Sequence, residues 1–148
     1  MKKEFILDSS EDTIAFASRI GSKLKGGELI ELVGDLGSGK TTFVTGLVMG
    51  AGSNSKVTSP SFVVNKIYRT PKFDIQHFDF YRLNSPGLIE YEIADILRDN
   101  RVVTIIEWAD IVHDILPENR LKIELSFLPS DSERKITLHF QNQSKYLI

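Results

Sequence analysis

The sequence feature that most constrains the fold is a glycine-rich segment between an apolar run and a helix-forming run. Residues 34–41 read Gly-Asp-Leu-Gly-Ser-Gly-Lys-Thr, which is a glycine, four residues, a glycine, a lysine and a hydroxyl residue. The preceding residues 29–33 predict a strand, and residues 40–49 predict a helix. In that context the glycines let backbone N–H groups turn inward, and the helix N-terminus adds partial positive charge. The segment therefore predicts a loop that binds a triphosphate.

Two side chains of this loop have expected roles in the chemistry. Lys40 should reach the β- and γ-phosphates, and Thr41 should place its hydroxyl on Mg²⁺. The alternative is a glycine-rich turn with an exposed lysine. The order of strand, loop and helix argues against that alternative.

Two acidic residues are candidates for the metal partner that such a loop needs, because Mg²⁺ prefers oxygen ligands. Glu107 follows the apolar run 102–106, where a charge is costly unless it faces an ion or water. Asp79 ends another predicted strand. Alternatively, Glu107 simply emerges from the sheet, and Asp79 forms an ion pair with Arg82. Together the two acids would supply a metal contact and a base or water-positioning group for attack on the γ-phosphate.

Other features near these residues are open to more than one interpretation. Trp108 follows Glu107, and the only tryptophan of the chain either packs in the core or contacts the site. Residues 58–61 are either a plain turn or a nucleotide-sensing segment. The histidines are too widely spaced for a metal cluster, so we interpret them as structural or surface residues, with only the first near the site; they are His77, His113 and His139.

Hydrophobic periodicity and turn residues predict the remaining elements. A capping-box signal at Ser9-Ser10 predicts a helix that ends at Gly26-Gly27. Ser85-Pro86 supplies the cap and first-turn proline of another helix. Strands are predicted at residues 5–7, 62–68, 73–80, 102–106, 121–127 and 135–140.

The arrangement of these strands predicts an α/β fold. The apolar, β-branched run 102–106 is typical of a strand covered on both faces in the centre of a parallel sheet. The alternating strands within 62–80 and 121–140 predict two antiparallel hairpins. We therefore expect a P-loop NTPase fold with a mixed, mostly parallel central sheet, flanking helices and antiparallel hairpins at its edges.

Composition narrows the classes of function. A length of 148 residues, with 41% apolar and 26% charged residues, predicts one globular domain spanning 1–148. A net charge of -2 lacks the positive field of non-specific nucleic-acid binders. The absence of cysteine excludes thiol catalysis, Cys-ligated zinc and disulfides, and no segment is typical of a signal peptide or membrane span. We expect a cytoplasmic location.

Four motifs, in order, resemble those of a known family. Residues 34–43 resemble GDLGAGKTTF, residues 59–62 resemble SPTF, residues 77–83 resemble HxDxYRL and residues 106–108 match IEW. The chain is thereby similar to the TsaE (YjeE) family, small bacterial P-loop ATPases needed for threonylcarbamoyladenosine modification of tRNA. Ser38 replaces the common alanine and Ser61 the usual threonine, both with little expected effect.

The resemblance implies roles for individual residues. Thr41 and Glu107 would hold Mg²⁺, Asp79 would serve hydrolysis together with Glu107 and Lys40, and residues 59–62 would form a switch-like loop. Trp108 would lie beside the active site. The residues implied to bind ATP or ADP are Thr13, Asp35, Leu36, Gly37, Ser38, Gly39, Lys40, Thr41, Thr42, Trp108 and Arg134.

The resemblance also implies protein partners. The family acts with TsaD and TsaB, the pair that transfers the threonylcarbamoyl group to the adenosine next to the anticodon, so tRNA would be met only through that complex. We expect a monomer in isolation. Because no arginine is evidently aimed at the site, we expect slow ATP hydrolysis alone and faster hydrolysis with partners.

Two other nucleotide-binding functions explain the sequence less well. Asp79 and Arg82 resemble the acid and arginine beside an acceptor hydroxyl in nucleoside kinases, which are small-molecule kinases. Such enzymes need an arginine-rich lid, whereas the last third of the chain predicts a hairpin with only Arg120 and Arg134. A GTPase is disfavoured because the Asn-Lys pair at 65–66 is not followed by the acid that would read guanine.

Overall fold

A seven-stranded mixed sheet with helices on both faces makes up the architecture. The computed structural model describes residues 1–148. The elements in chain order are β1 (Lys2–Leu7), α1 (Ser10–Gly21), β2 (Leu29–Val33), α2 (Lys40–Gly50), β3 (Asn65–Arg69), β4 (Asp74–Asp79), α3 (Ile89–Ile96), β5 (Val102–Glu107), β6 (Leu121–Phe127) and β7 (Arg134–His139). Short 3₁₀ helices cover Ala109–Ile115 and Asn142–Leu147. No helix combines the length and the apolar character needed to cross a bilayer.

The strand order β1-β7-β6-β2-β5-β4-β3 confirms a mixed sheet with a parallel centre. The strands β6, β2, β5 and β4 run parallel, while β1, β7 and β3 pair antiparallel with their neighbours. Both predicted hairpins, β3–β4 and β6–β7, are present. Because parallel strands end at the same edge of the sheet, the segments that follow β2, β4 and β5 meet there.

Successive residues of β5 enter two separate cores, since side chains alternate across a strand. Ile105 packs in a cluster of 22 buried residues that includes α1 and α2, and Ile106 packs in a cluster of 8 that includes α3. Every residue of β5 is buried, as its apolar sequence predicts. The larger core therefore lies on the face that carries the helix after the glycine-rich segment.

Helix α1 begins as predicted and ends earlier than predicted. The side chain of Ser9 accepts a hydrogen bond from the backbone N–H of Asp12 at 3.1 Å, which confirms the capping signal. The predicted end at Gly26-Gly27 is wrong, because the helix stops at Gly21. The carboxylate of Glu28 accepts the N–H groups of Lys25 and Gly26 at 2.8 Å and stabilises a turn there instead.

Two other predicted element boundaries are wrong for local backbone reasons. Strand β3 begins at Asn65 rather than residue 62, because Val64 donates its N–H to Pro60 at 2.7 Å and has φ 68°. Helix α3 begins at Ile89, so Ser85-Pro86 does not start it. Gly87 has φ 52°, which keeps the preceding residues out of the helix.

Glycines allow α1 and α2 to pack with their backbones in near contact. A Cβ atom at Gly46 would lie 2.7 Å from the Cβ of Ala17 and under 3.0 Å from the carbonyl oxygen of Ile14. Gly50 and Gly21 face opposing backbone atoms at similarly short range. This close packing fixes the position of α2, whose first turn follows the glycine-rich segment.

Gly46→Ala is expected to lower the free energy of unfolding by ~1–3 kcal/mol, because the added methyl overpacks the interface between α1 and α2. Helix propensity alone would predict a gain of ~0.5–1 kcal/mol from the same substitution. Urea denaturation measures the difference, with Met49→Ala as control, because Met49 is 53% exposed on the same helix. A more stable Gly46→Ala variant would contradict the close approach.

Candidate functional site

The glycine-rich loop, residues 34–39, connects β2 to α2 at the edge where the parallel strands end. Gly37 and Gly39 have φ of 78° and 103°, a backbone region that other residues adopt only with strain. Gly39 is the N-cap of α2, and no side chain caps this helix. The first-turn N–H groups of α2 are therefore free to bind an anion from outside the chain.

Lys40 lies folded over this loop. Its side chain is nearly buried, with 6% of the residue exposed, and its Nζ donates to the carbonyl oxygens of Gly34 at 2.6 Å and Asp35 at 2.9 Å. Nζ also lies 5.1 Å from the centre of the Trp108 ring. The ammonium group is thus held at the mouth of the loop by two charge-assisted hydrogen bonds.

The electrostatics of Lys40 reflect both its burial and its neighbours. Burial lowers the pKa of Lys40, and the negative charges of Glu107 and Asp79 oppose that shift. The two carboxylates are therefore close enough to influence the ammonium group. The charges of Lys40, Asp79 and Glu107 therefore interact with one another beside the glycine-rich loop.

Asp79 and Glu107 lie side by side, because they are paired residues at the ends of β4 and β5. Each is 3% exposed. Asp79 accepts a hydrogen bond from Ser61 Oγ at 2.7 Å and from the N–H of Tyr81 at 2.9 Å. Neither acid emerges into solvent, and both have hydrogen-bond partners that fix their orientation.

The alternative interpretation of Asp79, an ion pair with Arg82, is wrong in this structure. The guanidinium of Arg82 lies 4.4 Å from the centre of the exposed Phe62 ring and forms no ion pair with Asp79. The carboxylate of Asp79 is consequently free of any cation other than the nearby Lys40.

The sequence left open whether Trp108 packs in the core or contacts the site, and in the structure it does both. It packs partly buried against the smaller core, and its ring lies 4.9 Å from Tyr81 and 5.1 Å from Lys40 Nζ. Its φ of 57° is in the left-handed region, an uncommon conformation for a residue with a side chain. Such backbone strain clusters at functional sites.

Residues 59–64 are tied to Asp79 by side-chain and backbone contacts. Ser59 Oγ and Ser61 Oγ are 2.7 Å apart, and Ser61 donates to the Asp79 carboxylate. The N–H of Asp79 in turn donates to Val64, a β-branched residue at φ 68°. Phe62 between them is 83% exposed. The segment is therefore a strained, surface-exposed loop attached to a buried carboxylate.

A polar cavity of about 300 Å³ lies between the glycine-rich loop, the start of α1 and the β6–β7 turn. It brings Thr13, Thr42 and Arg134 together beside Gly37 and Gly39. The hydroxyl of Thr13 donates to the carbonyl of Ser9 at 3.1 Å, four residues earlier in the chain. The other predicted loop residues, Asp35, Leu36 and Ser38, belong to the glycine-rich loop but do not line this cavity; Leu36 is 61% exposed and Ser38 is 1% exposed.

Arg134 is a clamp on the glycine-rich loop. Its Nε donates to the carbonyl of Ser38 at 3.2 Å, and its Nη1 donates to the carbonyls of Asp131 and Glu133 at 2.7 and 2.8 Å. Its guanidinium also stacks over Phe127 at 4.8 Å. These contacts use much of the hydrogen-bond donor capacity of the guanidinium group, and a ligand would bind the donors that remain.

Sequence reasoning placed His77 near the site but missed its contact with Glu107. This residue is fully buried, and its Nε2 lies 2.8 Å from Oε1 of Glu107. Side chains alternate along a strand, so the sequence could have indicated that His77 and Asp79 share one face of β4. The other histidines lie elsewhere: His113 is exposed, and His139 pairs with Glu124 at 3.3 Å.

The donors at this site fit a magnesium ion that is shared with phosphate oxygens. No group of three or more histidine, aspartate or glutamate side chains forms a metal site built from protein alone. Mg²⁺ is usually held by one or two carboxylates plus substrate phosphates and water. Glu107, with Asp79 beside it and Thr41 in the first turn of α2, would provide such a partial set of oxygen ligands.

Comparison with known proteins identifies the family to which the chain belongs. The family model described as Threonylcarbamoyl adenosine biosynthesis protein TsaE matches residues 7–136. The chain belongs to the TsaE family. All four TsaE motifs found in the sequence lie within the matched range.

Similar proteins extend the match over nearly the whole length. The chain is 35% identical to the tRNA threonylcarbamoyladenosine biosynthesis protein TsaE of Rickettsia prowazekii over 92% of this chain and 94% of that protein. It is 36% identical to TsaE of Bacillus subtilis over 86% of this chain and 78% of that protein. The crystal structure of Bacillus subtilis YdiB superposes with a TM-score of 0.78 and 32% identity, covering 99% of this chain and 91% of that one.

Arg134→Ala is expected to speed hydrogen exchange of the backbone amides of residues 36–39, because the loop loses the bond to the carbonyl of Ser38. Hydrogen exchange with mass spectrometry measures this, and Lys135→Ala is the control because its ion pair is with Glu4 of β1 and not with the glycine-rich loop. Equal exchange of the loop in Arg134→Ala and the wild type would show that the clamp does not order it.

Proposed function

We propose that this TsaE-family chain is a P-loop NTPase that binds ATP with Mg²⁺ and hydrolyses it slowly on its own. The observation that carries the proposal is the convergence of Lys40, Asp79 and Glu107, all nearly buried, at the uncapped N-terminus of α2. Burying an ammonium group and two carboxylates lowers the stability of the fold, and such buried charges are typical of sites that bind a charged ligand.

Each residue has a role that its contacts support. Lys40 would exchange the carbonyls of Gly34 and Asp35 for the β- and γ-phosphates, which are stronger acceptors because they are charged. The backbone N–H groups of residues 35–42 would bind the phosphates. Asp79 would orient the attacking water or accept its proton.

The metal would be held by Thr41 and Glu107. When bound, Mg²⁺ supplies neutralisation of the negative charge that develops on the phosphates. Glu107 is already oriented by a hydrogen bond from His77, while Thr41 lies in the first turn of α2 beside the predicted phosphate position. The nucleoside would occupy the 300 Å³ polar cavity beside Thr13 and Arg134, with Trp108 at the phosphate end.

In the cell we propose an accessory role in forming threonylcarbamoyladenosine in tRNA. The curated relatives carry the name tRNA threonylcarbamoyladenosine biosynthesis protein TsaE. The proposed partners are the TsaB and TsaD proteins in the cytoplasm, with tRNA met only through them. The net charge of -2 supports indirect contact with tRNA, because phosphate binding needs positive charge.

The arrangement of arginines supports slow turnover by the isolated chain. Arg82 stacks on Phe62, and Arg134 bonds the carbonyl of Ser38, so both side chains are engaged within the chain. An arginine supplied by a partner is worth ~10³–10⁵ in rate in related chemistry. We therefore propose that the partner complex stimulates hydrolysis.

The rival function, a nucleoside-type kinase, has less support. It would use Asp79 with Arg82 at an acceptor hydroxyl, yet Arg82 stacks on Phe62 and forms no ion pair with Asp79. The chain segment beside the glycine-rich loop is the β6–β7 hairpin. No helix that could act as a lid lies between these two strands.

ATP or ADP with Mg²⁺ should raise the thermal stability of the wild type, and Lys40→Ala should remove most of that shift. A ligand at 100 times its Kd adds about 2.7 kcal/mol to stability. Differential scanning fluorimetry with ATP, ADP and GTP measures the shift, with the exposed Lys72→Ala as matched control. A larger shift with GTP than with ATP would contradict the proposal.

Glu107→Ala should impair Mg²⁺-dependent hydrolysis more than nucleotide binding, because it removes a metal ligand and leaves the loop amides intact. Phosphate release assays of the chain with and without TsaB and TsaD measure this. Wild-type hydrolysis by Glu107→Ala would move the metal role to Asp79. Hydrolysis by the wild type alone at rates on the order of 10 s⁻¹, a typical enzyme turnover, would contradict the dependence on partners.

A further inference from the structure

The imidazole of His77 is a buried polar group whose only polar contact is with Glu107. The residue has no solvent exposure, and Nε2 lies 2.8 Å from Oε1 of Glu107. The other nitrogen, Nδ1, has no hydrogen-bond partner. Burying an unpaired polar atom costs stability. An apolar side chain would avoid that cost, so a stability argument alone does not explain histidine at this position.

The pairing of the strands explains how the two side chains meet. His77 is paired with Ile105 across β4 and β5, and Asp79 is paired with Glu107. Residues two apart on a strand share a face, so His77 and Asp79 both flank Glu107 on the side that packs against α2. From these two neighbours Glu107 receives one hydrogen-bond donor and one negative charge.

Tyr68 holds the ring of His77 from the neighbouring edge strand. The two ring centres are 6.2 Å apart, and the Tyr68 hydroxyl donates to the carbonyl of Thr58 at 3.1 Å. Both side chains are buried, with Tyr68 3% and His77 0% exposed, so the imidazole has little room to rotate. Nε2 is therefore held toward Glu107, and it acts as the donor when Glu107 is ionised, because an ionised carboxylate can only accept a hydrogen bond.

We infer that His77 is a positioning residue that orients the carboxylate of Glu107 for binding a divalent cation. With Oε1 engaged by Nε2–H, the Glu107 carboxylate keeps one rotamer and Oε2 remains available to a metal ion. Groups that hydrogen-bond a metal ligand fix its orientation in this way. This role rests on the proposed Mg²⁺-nucleotide site and adds a residue that would not touch the nucleotide or the ion.

The test compares His77→Gln with His77→Leu. The side-chain amide of glutamine reaches about as far as Nε2 and can donate to Glu107, whereas leucine fills the space without a donor. The matched control is His139→Leu, because His139 Nε2 lies 3.3 Å from a carboxylate oxygen of Glu124 in the β6–β7 hairpin, away from the site. Binding of a fluorescent ADP analogue is measured in EDTA and across a Mg²⁺ titration, and urea unfolding is measured for each variant.

His77→Leu should require ~10–100-fold more Mg²⁺ to reach the same enhancement of ADP binding, the size of effect seen for residues that support a metal ligand. Its ADP affinity in EDTA should match that of the wild type. His77→Gln should restore the Mg²⁺ dependence, and His139→Leu should not change it. In a double-mutant cycle, His77→Leu should have no further effect on Mg²⁺ dependence once Glu107→Gln is present.

Other outcomes would overturn the inference. Wild-type Mg²⁺ dependence in His77→Leu would remove the positioning role alone, and so would an equal loss in both His77 variants that also appears in EDTA. Should His77→Leu not fold, the unbranched His77→Met takes its place; if neither folds while His77→Gln does, the hydrogen bond to Glu107 serves stability and the positioning role is wrong. Absence of Mg²⁺-dependent ADP binding by the wild type would instead overturn the proposed function and this inference with it.

Discussion

Burial of opposite charges at the edge of the parallel sheet is the constraint on which the site depends. Lys40, Asp79 and Glu107 are 6%, 3% and 3% exposed, respectively. Isolated charges at such depth would be too costly to keep, so each must be compensated by hydrogen bonds and by the others. Carbonyls of the glycine-rich loop hold the lysine, and Ser61 and His77 hold the two acids. Local stability is given up here for a fixed arrangement of charge.

The rest of the fold keeps this arrangement in place from three directions. The parallel pairing of β4 with β5 sets the two acids side by side. Close packing of α1 on α2 through Gly46 fixes the helix that carries Lys40. On the third side, Arg134 joins the β6–β7 hairpin to the carbonyl of Ser38. Elements that are distant in sequence thus hold the glycine-rich loop and the two acids in position.

The sequence predicted the strands and the loop well because their signals are local. The apolar run 102–106 and the alternating hairpins determine which side chains are buried, and each was found where expected. Boundaries failed where short-range hydrogen bonds compete with helix or strand propensity: Glu28 accepts two N–H groups in the turn after α1, and the bond from Val64 to Pro60 delays β3. Hydrophobic periodicity does not reveal such hydrogen bonds.

For the site, the motif residues were predicted from spacing and resemblance, and the structure brings them to one place. The pairing of His77 with Glu107 was missed, because the two residues are 30 positions apart and their contact depends on strand order. The stacking of Arg82 on Phe62 was also beyond sequence reasoning, since an arginine near an acid predicts an ion pair equally well. The nucleotide and metal roles of the motif residues are predictions that binding measurements test.

The clamp formed by Arg134 has a practical consequence for labelling this protein. The β6–β7 turn, residues 129–132, is exposed and polar, and would ordinarily be chosen for a fluorophore, a cross-linker or an inserted epitope. Its carbonyl at Asp131 shares the Arg134 guanidinium with Ser38, nearly a hundred residues earlier in the chain. A probe attached there would report on the glycine-rich loop, and would also disturb it.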